Sequence, residues 1–231
     1  MTNTQDKLIV ALDLPSYDEA RVLVDRLGDT VTFYKIGLEL LFSDGLSLAR
    51  ELKNDGKRVF LDLKFLDIAN TVERAVASAA SLGVDLLTVH GHDTKTLKAA
   101  VRGRAGSNLK LLSVTVLTSL DQADLDEQGL ATTPGNLVLH RARLARAAGF
   151  DGVIASGQEA AGVRSETGPG FLIVTPGIRL PGGDAGDQSR VTTPEQALRS
   201  GADHLVVGRP INAAEDPKAA AEAFLAHIAS A

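Results

Sequence analysis

LIVALDLPSYDEARVLVDRL, residues 8–27, is the first copy of a pattern that recurs along this chain. It opens with a continuous apolar run, residues 8–12, which is typical of a strand buried on both faces. A helical pattern follows over residues 17–27. At the start of this helix, Ser16 and Glu19 fit a capping box, in which the side chains satisfy free backbone donors of the first helical turn. The stretch therefore predicts a buried strand followed by a helix.

The same unit recurs to the end of the chain. The predicted strands are residues 8–12, 32–36, 58–63, 85–89, 109–116, 152–155, 171–174 and 204–207. Thr193 and Gln196 repeat the capping pattern around Pro194, and Asp216 with Pro217 opens the last helix. Eight units in 231 residues average about 29 residues each, enough for a compact barrel with right-handed crossovers. We predict one α/β domain over residues 1–231, a (β/α)₈ TIM barrel with parallel strands.

The composition restricts the partners of the chain. Its net charge is −5, with 24 basic and 29 acidic side chains. The chain therefore has no excess positive charge that would favour binding to nucleic acid or to anionic membranes. There are no cysteines, which excludes disulfides and thiolate metal sites and fits a reducing cytoplasm. No stretch approaches the ~20 apolar residues of a membrane span, and residues 1–7 are polar, without the apolar core typical of a signal peptide. We expect a soluble, cytoplasmic protein.

Charged residues follow the first strands at the end where barrels of this kind form their active sites. These residues are Asp13, Lys35, Asp62, Lys64 and His90. Asp62 and Lys64 are two apart on a strand, so both should face the barrel interior, where their charges must meet. Asp67 follows where the next helix begins, and Thr71 lies one turn further on the same face. Structural ion pairs are the alternative, but this grouping at neighbouring strand ends favours a functional site.

The loops after the last two strands predict a phosphate site. They supply Gly177, Arg179, Gly208 and Arg209, with a glycine-rich segment at residues 181–190 between them. Glycine lets backbone amides approach an anion, and arginine offers forked donors to its oxygens. The alternative is that these are ordinary turn glycines and solvated arginines. Two arginines at the expected ends of apolar strands favour the phosphate site.

Two histidines, His90 and His92, are spaced as metal ligands can be, but no third ligand has a recognisable spacing. We therefore predict no metal. His90 is expected to be packed or hydrogen-bonded beside the site, and His92 to lie on the surface.

DLKFLDIANT, residues 62–71, resembles the Asp-x-Lys-x-x-Asp signature of bacterial orotidine 5′-phosphate decarboxylases, and the resemblance extends over essentially the whole chain. Ala69 is a departure, because proline is more usual there. The resemblance implies a cofactor-free carboxy-lyase of de novo pyrimidine biosynthesis. Such an enzyme converts orotidine 5′-monophosphate to UMP and CO₂ as a homodimer.

The resemblance also implies roles for individual residues. Lys64 would protonate C6 of the pyrimidine, Asp62 would lie near the departing carboxylate, and Lys35 would bridge Asp62 and the ribose. Asp13 would bind a ribose hydroxyl, and Thr118 the pyrimidine. Asp67 and Thr71 would reach across a dimer interface into the partner's site. The implied phosphate-binding set is Arg179, Gln188, Gly208 and Arg209.

Two other functions remain open. A metal-dependent sugar-phosphate decarboxylase or epimerase of the same barrel group would need a divalent ion, whereas this charged set contains two lysines and no clear ligand cluster. A non-catalytic nucleotide-binding barrel would keep the phosphate loops but would not need Lys64 beside Asp62.

Overall fold

The computed structural model describes residues 3–182 and 191–231, and its strands form a closed parallel barrel. Each strand pairs with the next in the sequence, and the last pairs with the first. The strands are β1 (Leu8–Ala11), β2 (Phe33–Ile36), β3 (Arg58–Phe65), β4 (Leu86–His90), β5 (Lys110–Val114), β6 (Gly152–Ile154), β7 (Leu172–Thr175) and β8 (His204–Val207). The predicted (β/α)₈ barrel is confirmed.

Helices cover the outside of the barrel, together with a 3₁₀ turn at Gly28–Thr30. They are α1 (Thr4–Lys7), α2 (Tyr17–Leu27), α3 (Leu38–Leu41), α4 (Gly45–Asn54), α5 (Ala69–Ser81), α6 (Thr94–Gly103), α7 (Gln122–Glu127), α8 (Pro134–Ala148), α9 (Ala160–Thr167), α10 (Pro194–Arg199), α11 (Arg209–Asn212) and α12 (Pro217–Ala229). Within the described ranges, no helix is long and apolar enough to cross a bilayer.

The helix starts follow the predicted capping chemistry. The Ser16 hydroxyl accepts a hydrogen bond from the amide of Glu19 at 3.2 Å. Thr193 and Gln196 form a reciprocal capping box at α10, with Pro194 in its first turn, and Asp216 caps α12. Local sequence therefore determined where these three helices begin.

An apolar layer fills the lower barrel interior. Its buried members are Ile9, Ala11, Phe33, Phe60, Leu86, Leu112, Val174 and Val206. Because side chains alternate along a strand, the interior positions two residues further on belong to the next layer. On β2, β3 and β4 those positions are Lys35, Asp62 and Thr88. The apolar layer is therefore the floor beneath a polar layer.

At the opposite, amino-terminal end of the barrel, three aspartates make the same set of contacts. Asp85, Asp151 and Asp203 come directly before β4, β6 and β8, and each accepts a backbone hydrogen bond from the preceding strand. The amide donors are those of Val59, Leu111 and Ile173, at 2.8, 2.8 and 2.7 Å. Each carboxylate also binds a cation, namely Lys53, Arg104 and Arg164 respectively. The repeat ties alternate strands to neighbouring helical segments, far from the polar layer.

We predict that Asp203→Ala lowers the free energy of unfolding by about 2 kcal/mol, because a hydrogen bond between a backbone amide and a charged group is lost. The variant also leaves the Arg164 guanidinium without its carboxylate, which lies at 2.6 Å. Urea denaturation measures the change. Asp25→Ala, which removes an exposed pair with Arg21, is the control and should cost less than about 0.5 kcal/mol. Equal losses in the two variants would contradict a bracing role.

Candidate active site

A cavity of about 590 Å³ opens at the carboxyl ends of the strands. Eight of the predicted site residues line it: Asp13, Lys35, Asp62, Lys64, Thr118, Arg179, Gly208 and Arg209. They come from the ends of six different strands or the loops that follow them. Barrel closure therefore brings residues far apart in sequence to one rim.

The wall of the cavity changes character around the barrel. The ends of β1, β2 and β3 contribute the carboxylates and ammonium groups. The next sector is apolar and is lined by Val114, Val116 and Ile154 from β5, β6 and the segment after β5. Beyond it, the ends of β7 and β8 contribute two glycines and two arginines. A molecule in the cavity would therefore contact charge on two sides and an apolar surface on the third.

Four charged side chains form a chain of alternating sign across β1, β2 and β3. Lys35 Nζ lies 2.9 Å from Asp13 Oδ1 and 3.6 Å from Asp62 Oδ2. Asp62 Oδ2 also lies 2.8 Å from Lys64 Nζ. The expectation that Asp62 and Lys64 meet is confirmed, and Lys35 joins them. Each charge has an opposite charge beside it, which offsets the cost of taking it out of water.

The Asp62 carboxylate is largely enclosed, with 14% of its side chain exposed. Burial by itself raises the pKa of the Asp62 carboxyl. The charges of Lys35 and Lys64, with hydrogen bonds from Lys64 and Thr88, outweigh burial and hold that pKa below its ordinary value. Asp62 is therefore ionised at neutral pH, and a negative charge stands on the cavity floor.

The backbone at Lys64 departs from a regular strand. Lys64 has φ +50°, in the left-handed region that side chains other than glycine rarely adopt. The pairing of β3 with β4 also shifts register between Leu61 and Phe65. Strand alternation alone therefore does not explain the position of Lys64, and β3 runs beyond its predicted end at residue 63. A bulge places the ammonium group beside Asp62.

Two residues that the sequence analysis missed shape this charged chain. The Thr88 hydroxyl, in β4, donates to Asp62 Oδ1 and accepts from the Lys64 amide, each at 2.9 Å. At Gly37, a Cβ atom would lie 2.9 Å from Asp13 Oδ1 and 3.1 Å from Lys35 Nζ. Glycine there leaves room for the ion pair. The position of Gly37 directly after a strand end could have marked it as a site residue in the sequence. No local sequence feature distinguished Thr88.

Described residues that follow β7 and β8 line the same cavity, as the phosphate prediction requires. Gly177 has φ +74°, and Gly208 caps α11, whose first residue is Arg209. Arg179 lines the same cavity. Two guanidinium groups at one wall can bind an anion with more than one negative charge. Gln188, the remaining member of the predicted set, lies outside the described residues.

Asp67 and Thr71 do not line this cavity, and both are exposed. Helix α5 begins at Ala69, so Asp67 lies in the turn before the helix, where its carboxylate accepts from the Ile68 amide at 2.6 Å. The expectation that Asp67 and Thr71 share a helical face is therefore wrong. The turn also exposes the apolar side chains of Leu66 and Ile68, by 51% and 73%.

The two histidines pack against each other, with ring centroids 4.8 Å apart, and His92 is exposed as predicted. Burial lowers the pKa of His90 to about 4, helped by the nearby positive charges of His92, Arg141 and Lys64. His90 is therefore neutral at pH 7. Among the described residues, no group of three or more histidine or acidic side chains is arranged to hold a metal ion.

Comparison with known proteins agrees with this geometry. Residues 6–224 match the family model "Orotidine 5′-phosphate decarboxylase / HUMPS family". An orotidine 5′-phosphate decarboxylase of a Bradyrhizobium species is 56% identical over 226 residues, covering 98% of this chain and 93% of that protein. One from Methylobacterium nodulans is 55% identical over 230 residues, covering 98% and 97%. The crystal structure of the Lactobacillus acidophilus enzyme superposes with a TM-score of 0.84 at 38% identity, covering 96% of this chain and 98% of that one.

The relatives thus align with this protein over nearly their full length. The protein also contains the barrel, the alternating charges at β1 to β3 and the arginines after β7 and β8. The family resemblance of residues 62–71 is confirmed. This chain belongs to the orotidine 5′-phosphate decarboxylase / HUMPS family.

Proposed function

We propose that this chain is a carboxy-lyase that converts orotidine 5′-monophosphate to UMP and CO₂, with protonation of C6 by Lys64. One observation carries the proposal: Lys64 Nζ lies 2.8 Å from the largely enclosed Asp62 carboxylate, in a cavity whose other charged wall holds Arg179 and Arg209. The family and the names of its relatives support the same reaction. That no cofactor takes part, and that the enzyme is cytoplasmic, stay predictions from the sequence.

The Lys64 ammonium group provides the electrostatic stabilisation that this reaction needs. Loss of CO₂ leaves an electron pair in an sp² orbital at C6, which cannot delocalise into the ring π-system. A cation held close to C6 stabilises that localised charge, and more strongly where apolar walls exclude water. Phe60, Val114 and Ile154 form such walls here. Lys64 then transfers a proton to C6 and forms the new C–H bond.

Asp62 acts on the bound substrate through its charge. Because its pKa is held low, it stays ionised while a second carboxylate, that of the substrate, enters the cavity. Repulsion between the two carboxylates weakens in the transition state, when the substrate charge moves to C6. Asp62 also orients Lys64 and Lys35, through the contacts of 2.8 and 3.6 Å. The reaction therefore needs both the charge and the position of this carboxylate.

The rest of the cavity holds the nucleotide away from the reacting carbon. Asp13 and Lys35 face the ribose hydroxyls, and Thr118 contacts the pyrimidine. Arg179, Gly208 and Arg209 bind the phosphate, with Gln188 added from the segment between β7 and β8. Binding energy from the phosphate positions the ring against Lys64, so that distant contacts raise the rate of the chemical step.

The proposal predicts that the protein removes the ultraviolet absorbance of orotidine 5′-monophosphate in excess EDTA. Lys64→Ala should fold but lose at least about a thousandfold in kcat, because both the proton donor and the cation are removed. Circular dichroism checks the fold of the variant. Turnover of the nucleotide that EDTA abolishes and Mg²⁺ restores would contradict a metal-free mechanism. No turnover with or without Mg²⁺ would favour a metal-dependent sugar-phosphate enzyme or a non-catalytic nucleotide-binding barrel.

Arg209→Ala should lower kcat/KM by about ten- to hundredfold, because a charge-assisted hydrogen bond to the phosphate is lost. The effect is expected although the proposed contact is with the phosphate and not with the pyrimidine ring. Arg199→Ala, at the exposed end of α10, is the matched control and should be neutral. The two variants should differ little on orotidine, which has no phosphate. A near-normal kcat/KM for Arg209→Ala on the nucleotide would remove Arg209 from the site.

We also propose that the chain works as a homodimer in which Asp67 and Thr71 complete the partner's site. Both side chains lie outside the cavity of their own chain. The apolar side chains of Leu66 and Ile68, beside Asp67, are exposed, as are those of Leu38 and Phe42 after β2. Leu38 also lines the cavity. A second copy packed on these segments would bury apolar surface and bring Asp67 towards a neighbouring Lys64.

Hybrid dimers test this arrangement. Lys64→Ala and Asp67→Ala chains are co-expressed with different affinity tags and purified over both. In a two-fold dimer, one hybrid site carries both changes and the other carries neither, so about half of the wild-type activity should return. Each parental dimer should have little activity. A hybrid no more active than the mean of its parents would show that Asp67 acts within its own chain.

A further inference from the structure

We infer that Thr88 is a positioning residue for the reaction proposed above. Its hydroxyl holds the Asp62 carboxylate and the Lys64 backbone at the same time. Thr88 lies in the middle of β4, inside the barrel and fully buried. It belongs to neither the signature at residues 62–71 nor the cavity lining.

Hydrogen-bond chemistry determines the direction of both contacts. A backbone amide can only donate, so the Thr88 hydroxyl oxygen accepts from the Lys64 N–H at 2.9 Å. The single hydroxyl proton is then available to Asp62 Oδ1, also at 2.9 Å. An ionised carboxylate accepts hydrogen bonds and donates none, which agrees with this direction. The hydroxyl therefore links Asp62 to the Lys64 main chain.

The irregular pairing of β3 and β4 explains why a side chain makes this contact. Leu61 pairs with Leu87, and Phe65 pairs with Val89. Residues 62–64 of β3 therefore face Thr88 alone, and regular backbone pairing is interrupted there. The Thr88 hydroxyl satisfies the Lys64 amide in place of a strand carbonyl. It does so at the residue with φ +50°, a conformation that needs support from its surroundings.

The two oxygens of Asp62 consequently have separate partners. Oδ1 binds the Thr88 hydroxyl, whereas Oδ2 faces the ammonium groups of Lys64 and Lys35, at 2.8 and 3.6 Å. Without the hydroxyl, the carboxylate can rotate about its terminal bond, and the partly buried Lys64 amide is left without an acceptor. Both changes move the Lys64 ammonium relative to C6. The proposed contacts with the ribose and phosphate remain.

Thr88→Val removes the hydroxyl and keeps the shape of the side chain. We expect kcat to fall about ten- to hundredfold, because small displacements of reacting groups have effects of that size. KM should change less than about threefold, since nucleotide binding is retained. Thr88→Ser keeps the hydroxyl and should restore most of kcat. A kcat for Thr88→Val within about twofold of wild type would overturn the inference.

The pH dependence gives a readout that a merely structural role would not change. The hydrogen bond from Thr88 helps to lower the pKa of Asp62, together with the charges of Lys35 and Lys64. Its loss should raise that pKa, so Asp62 is protonated at a higher pH. The acid limb of the pH profile of kcat should therefore move to higher pH in Thr88→Val. In Thr88→Ser it should return to its wild-type position. An unmoved limb in Thr88→Val would contradict the inference.

Thr175→Val is the matched control. Thr175, in β7, is also fully buried, and its hydroxyl has no hydrogen-bond partner within the described part of the chain. This variant should keep the wild-type kcat and acid limb. A loss equal to that of Thr88→Val would show that any buried threonine produces the effect, and the inference would fail.

A measurement without turnover separates this inference from the proposed function. Carbon-13 NMR of aspartate-labelled protein, assigned with Asp62→Asn, follows the titration of the Asp62 carboxyl. A raised pKa in Thr88→Val supports the Thr88 contact even if the wild type does not decarboxylate the nucleotide. If Thr88→Val leaves the pKa of Asp62 unchanged while the wild type does decarboxylate the nucleotide, the positioning role of Thr88 is refuted and the proposed function stands.

Discussion

Parallel strands leave a sheet without unpaired edges only if the last strand returns to the first, and here β8 pairs with β1. Closure places all eight carboxyl ends at one rim, whatever the sequence distance between them. Asp13 and Arg209 thus come to line the same cavity. Closure also separates the stabilising contacts from the cavity. Hydrogen bonds from strand amides to Asp85, Asp151 and Asp203 lie at the amino ends of the strands, which leaves the carboxyl ends available for chemistry.

Within that rim, electrostatics limits which side chains can share the interior. A carboxylate as enclosed as Asp62 is stable in its ionised form only with cations beside it, and Lys35 and Lys64 provide them. The same neighbours make the site reactive in the proposed mechanism, because a cation already held in place needs no reorganisation when charge develops at C6. The stability of the site and the proposed chemistry therefore depend on the same arrangement of charges.

Among the described strand pairs, a register shift occurs between β3 and β4, and it lies at the signature lysine. A regular strand could also direct Asp62 and Lys64 to one side, but the register shift and the φ of +50° at Lys64 alter the approach of the ammonium group. Backbone strain of this kind persists where surrounding contacts support it. Here the support comes from Thr88 on the neighbouring strand, through a contact that also reaches Asp62.

The sequence by itself determined the eight strands, the capped helix starts and the polar residues at the strand ends, because periodicity and capping are local properties. It also allowed the meeting of Asp62 with Lys64 to be predicted. Only the tertiary structure decided the bulge at Lys64, the contact of Thr88 with Asp62, the room provided by Gly37 and the start of α5 after Asp67. The first three depend on register and spacing between strands, which no single segment encodes. The helix start shows instead that an element boundary can shift by two residues, enough to leave Asp67 outside the helix.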